Sequence, residues 1–227
     1  MKRSEINIII RSSLEFINEI GFSLPKEANW SLEDWFVYWD KKKDNTKERR
    51  ERGIGWDITD FNLGDFSKHG LLLYTLTNGL DQGYAKKYLI VGDGQITPSH
   101  NHKKKIEDIV NVSGGDLKIS LYNLDNPDFV RIFHNYEWEM YEPGSIITLK
   151  KNDRIRIDNC HLHEFWGVGW VLAEENSSVN DDKEDNFFLN TKVGRFPEIE
   201  EDEIPRYLLC TELPETRKFD ELVRKWL

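Results

Sequence analysis

The sequence predicts a mainly β fold, either a sandwich or a barrel, that follows a helical N-terminal extension. From residue 55 onward, short segments rich in Val, Ile, Tyr, Phe and Trp are separated by Gly, Pro, Asn and Asp. Many short strands in this order are typical of all-β domains. Before that point, apolar residues recur at the helical period. We therefore divide the 227 residues into a helical extension (1–54), a β domain (55–210) and a C-terminal tail or helix (211–227).

The first predicted helix lies in the segment SEINIIIRSSLEFINEIGFSLP, whose isoleucines and leucine share one face at a period of 3.6 residues. Ser4 is placed to cap its start. Gly21 and Pro25 are placed to end it, because glycine readily adopts the left-handed conformation of a helix C-terminus and proline cannot continue a helix.

The second predicted helix begins at SLEDWFVYW, where Ser31 and Asp34 have the spacing of a capping box. The charged run that follows, residues 40–53, is interpreted as a solvated helix end or a loop. The first predicted strand, HGLLLYTLTNG, is closed by a turn at Asn78-Gly79, a strong hairpin signal. A short C-terminal helix is expected from about Thr216.

Composition restricts the class of function. The net charge is −10, which argues against binding to nucleic acid or to an anionic membrane surface. No apolar run approaches the ~20 residues that span a bilayer, and the start of the chain lacks the apolar core of a signal peptide. Cys160 and Cys210 are too few for a disulfide framework. These features predict a cytoplasmic protein with free thiols.

Histidines and a carboxylate form the most informative pattern. His100 and His102 are two residues apart, so on a strand both imidazoles point the same way. Glu107 follows after a lysine-rich turn. His161 and His163 offer a further imidazole from a distant segment, and the residues alone do not decide between them. Three imidazoles and one carboxylate suit Mn²⁺, Fe²⁺ or Zn²⁺.

The spacing of this pattern resembles the first motif of the cupin family, G-x5-H-x-H-x3,4-E-x6-G, from Gly94 to Gly114. The resemblance implies a jelly-roll-like β-barrel in which His100, His102 and Glu107 bind metal. The second cupin motif is met in part, because Asp158, Cys160 and Gly167 replace its usual residues. Its histidine corresponds to His163, which the resemblance favours over His161 as the fourth ligand.

Several further segments resemble the D-lyxose ketol-isomerase group of cupins: GWDITDFNLGDF, TPSHNHKKKIEDIVN, SSVNDDKEDNFF and GRFPEIEEDE. This resemblance implies a Mn²⁺ site, with Co²⁺ or another divalent ion as an alternative. It also implies a homodimer that isomerises D-lyxose to D-xylulose and D-mannose to D-fructose by acid–base proton transfer through an enediolate.

Candidates for acid–base and substrate-binding roles lie near this motif and downstream of it. Lys105, between His102 and Glu107, is the nearest candidate for proton transfer. Either Glu174 or Glu175 can face inward from its strand, and the resemblance favours Glu175. In the segment GRFPEIEEDE we assign substrate binding to Arg195, whose guanidinium can hold hydroxyls, and to Glu200.

Two other functions fit the same four ligands. One is a cupin dioxygenase that uses Fe²⁺ and O₂, and the other is a sugar-binding cupin without catalysis. The charged surroundings of the motif, with Lys105 and several carboxylates, favour the isomerase over the dioxygenase.

Overall fold

The computed structural model describes residues 1–79, 83–178, 180–181, 184–194 and 198–227, and it is mainly β with helices at both ends. The α-helices are α1 (Arg3–Glu19), α2 (Leu32–Lys41), α3 (Lys43–Glu51) and α4 (Arg217–Trp226), and short 3₁₀ turns cover Lys26–Asn29 and Cys210–Glu212. Among the described residues, no helix combines the length and the apolar composition required to cross a membrane.

Helix α1 forms where its apolar periodicity predicts, but it starts before the expected cap. Lys2 is the N-cap residue and contributes no side-chain hydrogen bond. Ser4 lies inside the helix, where its hydroxyl donates to Asp202 at 2.7 Å, so the prediction of a Ser4 cap is wrong. The helix does end before Gly21, which has the expected left-handed φ of 71°.

Helix α2 begins as predicted. The Ser31 hydroxyl accepts the N–H of Asp34 at 3.1 Å, and the Asp34 carboxylate accepts the N–H of Ser31 at 2.9 Å, which completes a capping box. The charged run after it forms a separate helix, α3, which is attached by its basic residues. Arg49 pairs with Glu27 at 3.0 Å.

Eleven strands are found among the described residues. They are β1 (Gly55–Thr59), β2 (Leu71–Gly79), β3 (Tyr84–Val91), β4 (Ile96–Asn101), β5 (Glu107–Asn123), β6 (Val130–His134), β7 (Glu137–Tyr141), β8 (Ile146–Leu149), β9 (Arg154–Ile157), β10 (His161–Ser177) and β11 (Phe187–Phe188).

All the described strand pairs are antiparallel, and the main path runs in the order β1-β2-β3-β10-β5-β9-β6-β7 without returning to β1. Strands β4 and β8 branch from β10 and β5, and β11 adds to β4. The long strands β5 and β10 bend where their register shifts between Val168 and Val171. Gly114 lies at this bend with φ 95°, and a Cβ there would lie 2.2 Å from the Trp170 carbonyl oxygen, so only glycine fits.

The sheet separates two apolar clusters. Its concave face forms the interior cluster, whose members alternate along their strands with outward residues; they include Leu73, Leu89, Ile109, Leu117, Ile119, Ile155 and Phe165. The opposite face of β1, β2 and β3 packs against α1 through residues that include Ile6, Ile10, Ile17, Trp56, Tyr74 and Ile90. The helical extension therefore covers one side of the sheet and leaves the interior to the histidine motif.

Two predictions concern the ends of elements, and they have different outcomes. Strand β2 continues through Asn78 and Gly79, which pair with Ala85 and Tyr84, so the turn does not start at Asn78-Gly79 as predicted. The C-terminal helix α4 begins after Thr216, whose hydroxyl accepts the N–H of Phe219 at 3.0 Å, and this prediction is confirmed.

Candidate active site

Three imidazoles meet inside the sheet because two neighbouring strands bring them together. His100 on β4 lies directly opposite His163 on β10, with ring centroids 4.1 Å apart. His102, two residues beyond His100, lies on the same side, 5.2 Å away between ring centroids. Their ligand nitrogens all lie within 4.8 Å of one another, and all three side chains are buried.

Backbone carbonyls fix the tautomer of each ring. The Nδ1 atoms of His100, His102 and His163 lie 2.8, 2.5 and 3.3 Å from the carbonyl oxygens of Pro98, Asp185 and His161. A carbonyl can only accept, so each Nδ1 donates a proton, and in the neutral form of each ring Nε2 carries the lone pair. In proteins, hydrogen bonds of this kind from the ring nitrogen that faces away from a metal orient the histidines that bind it.

Glu107, the first residue of β5, faces two of these lone pairs. Its Oε1 lies 3.4 Å from Nε2 of His102, and its Oε2 lies 3.3 Å from Nε2 of His163. Both nitrogens, and Oε2 itself, are buried and have no hydrogen-bond partner among the residues that the structure describes. Acceptors that face one another in this way are stabilised by a cation between them.

The charge states agree with a ligand set. Burial and the neighbouring imidazoles lower the pKa of His100 well below 6.5, and burial lowers the pKa of His163 to about 4. Burial alone would raise the pKa of Glu107, but the adjacent Lys105 and imidazoles keep it well below its ordinary value. At neutral pH His100 and His163 are therefore neutral and Glu107 is ionised, the forms that bind a metal.

Lys105 links Glu107 to a second buried carboxylate. Its Nζ lies 2.5 Å from Oε1 of Glu107 and 3.3 Å from Oε1 of Glu175 on β10. Oδ1 of Asn180 accepts from Lys105 at 3.3 Å and from Lys87 on β3 at 2.8 Å. Two ammonium groups and two carboxylates thus adjoin the imidazoles in a network that can move a proton.

A pocket opens beside this network. Its polar side is lined by His100, Lys105, Glu107, Glu175 and Asn186. Its apolar side is formed by Phe61, Leu71, Leu73, Leu89, Phe165 and Phe188. The combination of an aromatic wall and convergent charged groups suits a polyhydroxylated ligand with an apolar C–H face.

The structure also locates the other residues singled out from the sequence. His161 is buried at the start of β10, but its Nδ1 accepts the N–H of Asp158 at 3.1 Å, and it is not part of the imidazole cluster. Glu174 points to the other face of the sheet, where it pairs with Lys86 at 2.9 Å.

Of the two residues assigned to substrate binding, Glu200 is described and does not line the cavity. Glu200 pairs through its backbone with the N-terminal segment: its N–H donates to Met1 and its carbonyl accepts from Arg3. Its side chain is exposed and does not line the cavity, so the described residues do not connect it with a substrate. Arg195 lies outside the described residues.

Sequence reasoning missed Lys87, Asn180 and Asp185. A signal exists for Lys87, because it occupies an inward position of β3 between Ala85 and Leu89, where alternation predicts an apolar residue. Asn180 and Asp185 lie in an irregular segment without periodicity, so no local pattern distinguishes them from solvated loop residues.

This chain is similar to known proteins both in family and in sequence. The family model for D-lyxose isomerase matches residues 1–213. The D-lyxose/D-mannose isomerase of Escherichia coli O157:H7 is 36% identical over 234 residues, which cover 96% of this chain and 100% of that protein. The protein of the same name from Serratia proteamaculans is 35% identical over 226 residues, covering 93% of this chain and 97% of its own.

Solved structures extend the likeness to the fold. The L-ribose isomerase of Acinetobacter sp. DL28 in complex with L-ribose superposes with a TM-score of 0.51 and 15% identity over 85% of this chain and 94% of that chain. A variant of that enzyme gives a TM-score of 0.54 and 14% identity, over 88% and 98% of the two chains. The mainly β, cupin-type fold with N-terminal helices is thus confirmed.

Proposed function

Because this chain belongs to the D-lyxose isomerase family and is therefore an aldose–ketose isomerase, we propose that it converts D-lyxose to D-xylulose and D-mannose to D-fructose. The reaction takes place in the cavity beside the imidazole cluster. The two alternatives from the sequence, a dioxygenase and a sugar-binding protein without catalysis, are set aside, since isomerases match the chain over nearly its whole length.

A divalent metal is part of this proposal, with His100, His102, Glu107 and His163 as its ligands. The Nε2 atoms of His102 and His163 and Oε2 of Glu107 support it, since they are buried and lack a hydrogen-bond partner in the described part of the chain. Mixed nitrogen and oxygen ligands suit Mn²⁺, which we propose as the ion, with Co²⁺ as an alternative. When bound, such an ion acts as a Lewis acid that polarises the carbonyl of the sugar.

Glu175 and Lys105 move the protons in the proposed mechanism. The Glu175 carboxylate removes the proton from C2 of the aldose, which gives an enediol, and returns it to C1 of the ketose. The Lys105 ammonium donates a proton to O1, and takes one back from O2 as the new carbonyl forms. Their separation of 3.3 Å lets one sugar edge contact both groups. The hydroxyl of Ser177 donates to Glu175 at 3.1 Å and holds the carboxylate in place.

The rest of the cavity binds and shields the sugar. Asn186 offers a polar contact beside the reacting carbons, and the rings of Phe61, Phe165 and Phe188 exclude water around them. Exclusion of water strengthens the electrostatic interactions of the buried charges and protects the enediol from side reactions. The single observation that carries the proposal is the placement of Lys105 between Glu107 and Glu175 beside three imidazoles.

The test is an isomerisation assay in D₂O with protein that has been stripped of metal and reloaded with Mn²⁺ or Co²⁺. We expect D-xylulose from D-lyxose, with deuterium at C1 where exchange with solvent precedes reprotonation. The Glu175→Gln variant is expected to retain metal and lose turnover, as measured by NMR of the products and by metal analysis. Absence of D-xylulose with every metal would contradict the assigned substrate.

A further inference from the structure

Residues 184–190, here called the strap, lie along the strand that carries the first metal-ligating histidine. Strand β11 within the strap pairs with β4, with Phe188 opposite His100 and Phe187 opposite Asn101. The pairing continues where the N–H of Leu189 donates to the carbonyl of Ser99 at 2.9 Å. The Phe188 ring centroid lies 5.5 Å from that of His100. The strap is thus built into the wall of the site.

Asp185 is the residue through which the strap contacts the metal motif. Its carboxylate accepts the backbone N–H of Lys103 at 2.8 Å, of Lys104 at 3.1 Å and of Lys105 at 2.9 Å. Its own carbonyl accepts from Nδ1 of His102 at 2.5 Å. The side chain is only 2% exposed, although it lies in an irregular segment. One residue therefore holds both His102 and the turn that follows it.

The position of the turn at residues 103–105 depends on these hydrogen bonds to the Asp185 carboxylate. The turn must lead the chain from His102, just after β4, to Glu107 at the start of β5, and also deliver the Lys105 ammonium into the interior. Three successive amide groups that point at one site form an anion-binding nest, and a carboxylate that fills it fixes the backbone of all three residues. Without the carboxylate, three buried or half-buried N–H groups would lack a partner, at a cost of about 1–3 kcal/mol each.

We propose that Asp185 is a positioning residue for the reaction, because it sets the turn 103–105 that places Lys105 and Glu107 at the metal centre. It does not touch the substrate and acts through these two side chains. The assignment of catalysis to Lys105 comes from the proposed function, on which this inference rests. The contact of Asp185 with the turn can be measured without any sugar.

The experiment compares Asp185→Asn with the wild type and with a matched control, Asp153→Asn. Asp153 also accepts a backbone N–H in a turn, from Lys150 at 2.9 Å, but it does not line the cavity. In metal-free protein, hydrogen–deuterium exchange at the amides of 103–105 is expected to be at least about 10-fold faster in Asp185→Asn. The asparagine amide presents donors where carboxylate oxygens accepted, so at least one of the N–H groups loses its partner.

Metal affinity and kinetics supply the functional readouts. Changes to residues that hold metal ligands in place typically cost roughly 10–100-fold in metal affinity or activity. We therefore expect Mn²⁺ affinity, measured by calorimetry, to fall roughly 10-fold or more, and kcat at saturating Mn²⁺ to fall about 10–100-fold with KM within about 2-fold. The control is expected to match the wild type in metal affinity and in exchange at 103–105.

The outcomes separate this inference from the assigned function. If exchange at 103–105 and Mn²⁺ affinity are unchanged in Asp185→Asn, Asp185 does not position the site and the inference is wrong. Faster exchange with unchanged metal affinity and kcat also overturns it, because the carboxylate then only closes a turn. If the wild type does not isomerise D-lyxose, the substrate assignment fails, whereas the exchange and metal readouts still decide the role of Asp185.

Discussion

Glu107 faces two imidazoles at once, with Oε1 opposite His102 and Oε2 opposite His163. In Glu107→Gln the carboxylate charge is lost while the size of the side chain is kept. We expect Mn²⁺ affinity to fall by roughly 100-fold or more, since loss of a ligand exceeds the usual effect of changes around ligands. Calorimetry and metal analysis after dialysis measure it. Glu164→Gln, which alters the half-buried neighbour of His163, serves as the control. Equal metal content in both variants would show that Glu107 is not a ligand.

Lys105 donates protons in the proposed mechanism, so its removal should affect the chemical step. Lys105→Met keeps the aliphatic length and removes the ammonium between Glu107 and Glu175. We expect kcat to fall about 10²–10⁴-fold, the usual contribution of general acid–base catalysis. Lys104→Met keeps the turn's backbone and alters an exposed lysine, and it should retain activity. A Lys105→Met variant with wild-type kcat would rule out proton transfer by this residue.

At the residue scale, site residues that follow a local periodicity could be predicted from the sequence. Site residues whose role depends on contacts with distant parts of the chain could not. His100 and His102 share a side because side chains alternate along a strand, so their convergence could be predicted. The cupin-like spacing then pointed to Glu107. Asp185 could not be found, because it acts on residues 80 positions earlier in the chain through backbone groups that leave no pattern in the sequence.

Helix α1 is attached to the C-terminal part of the chain by one buried cation. The Arg3 guanidinium is fully buried, donates to Glu201 at 2.8 and 2.9 Å, and also pairs with Glu212. In Arg3→Met the buried Glu212 carboxylate would lose this partner, so we expect the free energy of unfolding to fall by about 3 kcal/mol at pH 7.5. Urea denaturation measures it. Arg11→Met, which removes an exposed pair with Glu15, should change stability by less than about 0.5 kcal/mol.

The stability contributed by the ion pair of Arg3 and Glu201 depends on pH. Burial raises the pKa of Glu201, but hydrogen bonds from Arg3 and Lys218 outweigh it and lower the pKa below 4.5. The stability that this carboxylate contributes is therefore complete above pH 4.5 and is lost as pH falls through its lower folded-state pKa. The difference in stability between wild type and Arg3→Met should narrow as pH falls below 4.5. A difference that stays constant from pH 7.5 to 3.5 would contradict the ion pair as its source.

At the element scale, prediction succeeded where the signal was local. The capping box of Ser31 and Asp34 and the cap at Thr216 depend on residues three apart, and both formed. Ser4 was expected to behave likewise, but Asp202 competes for its hydroxyl from a distant part of the chain. The Asn78-Gly79 signal failed for a similar reason, since pairing with β3 extends β2 through both residues.

The whole molecule presents an apolar surface on the β6–β7 hairpin. Tyr136, Trp138 and Met140 are 73%, 49% and 57% exposed, and the Arg131 guanidinium lies 4.3 Å from the Trp138 ring centroid. Aromatic, Met and Arg residues are enriched at protein interfaces. We expect a homodimer by light scattering, and a monomer when Trp138→Glu and Met140→Glu are combined. Val37→Glu, an equally exposed change on α2, should stay dimeric. A monomeric wild type would contradict this prediction.

At this scale the β-rich core and the N-terminal helices followed from composition and periodicity, because burial of alternating apolar residues dictates both. The order of the strands did not follow from them. Pairing of β10 with β3, β4 and β5 joins segments that are up to about 90 residues apart, and no short-range rule selects such partners. The resemblance to cupins supplied what the residues alone could not.

The direct opposition of His100 and His163 has a consequence beyond chemistry. An ion bound by both histidines would link β4 to β10. These two strands are otherwise joined here by a short run of paired residues with a register shift. At free Mn²⁺ 100 times its dissociation constant, this linkage is worth about 2.7 kcal/mol. Treatment with a chelator should lower the melting temperature and expose β4 to proteases, and Mn²⁺ should reverse both. In a cell that lacks Mn²⁺, the protein would then be degraded faster. The supply of Mn²⁺ would therefore control the amount of the protein as well as its reaction rate.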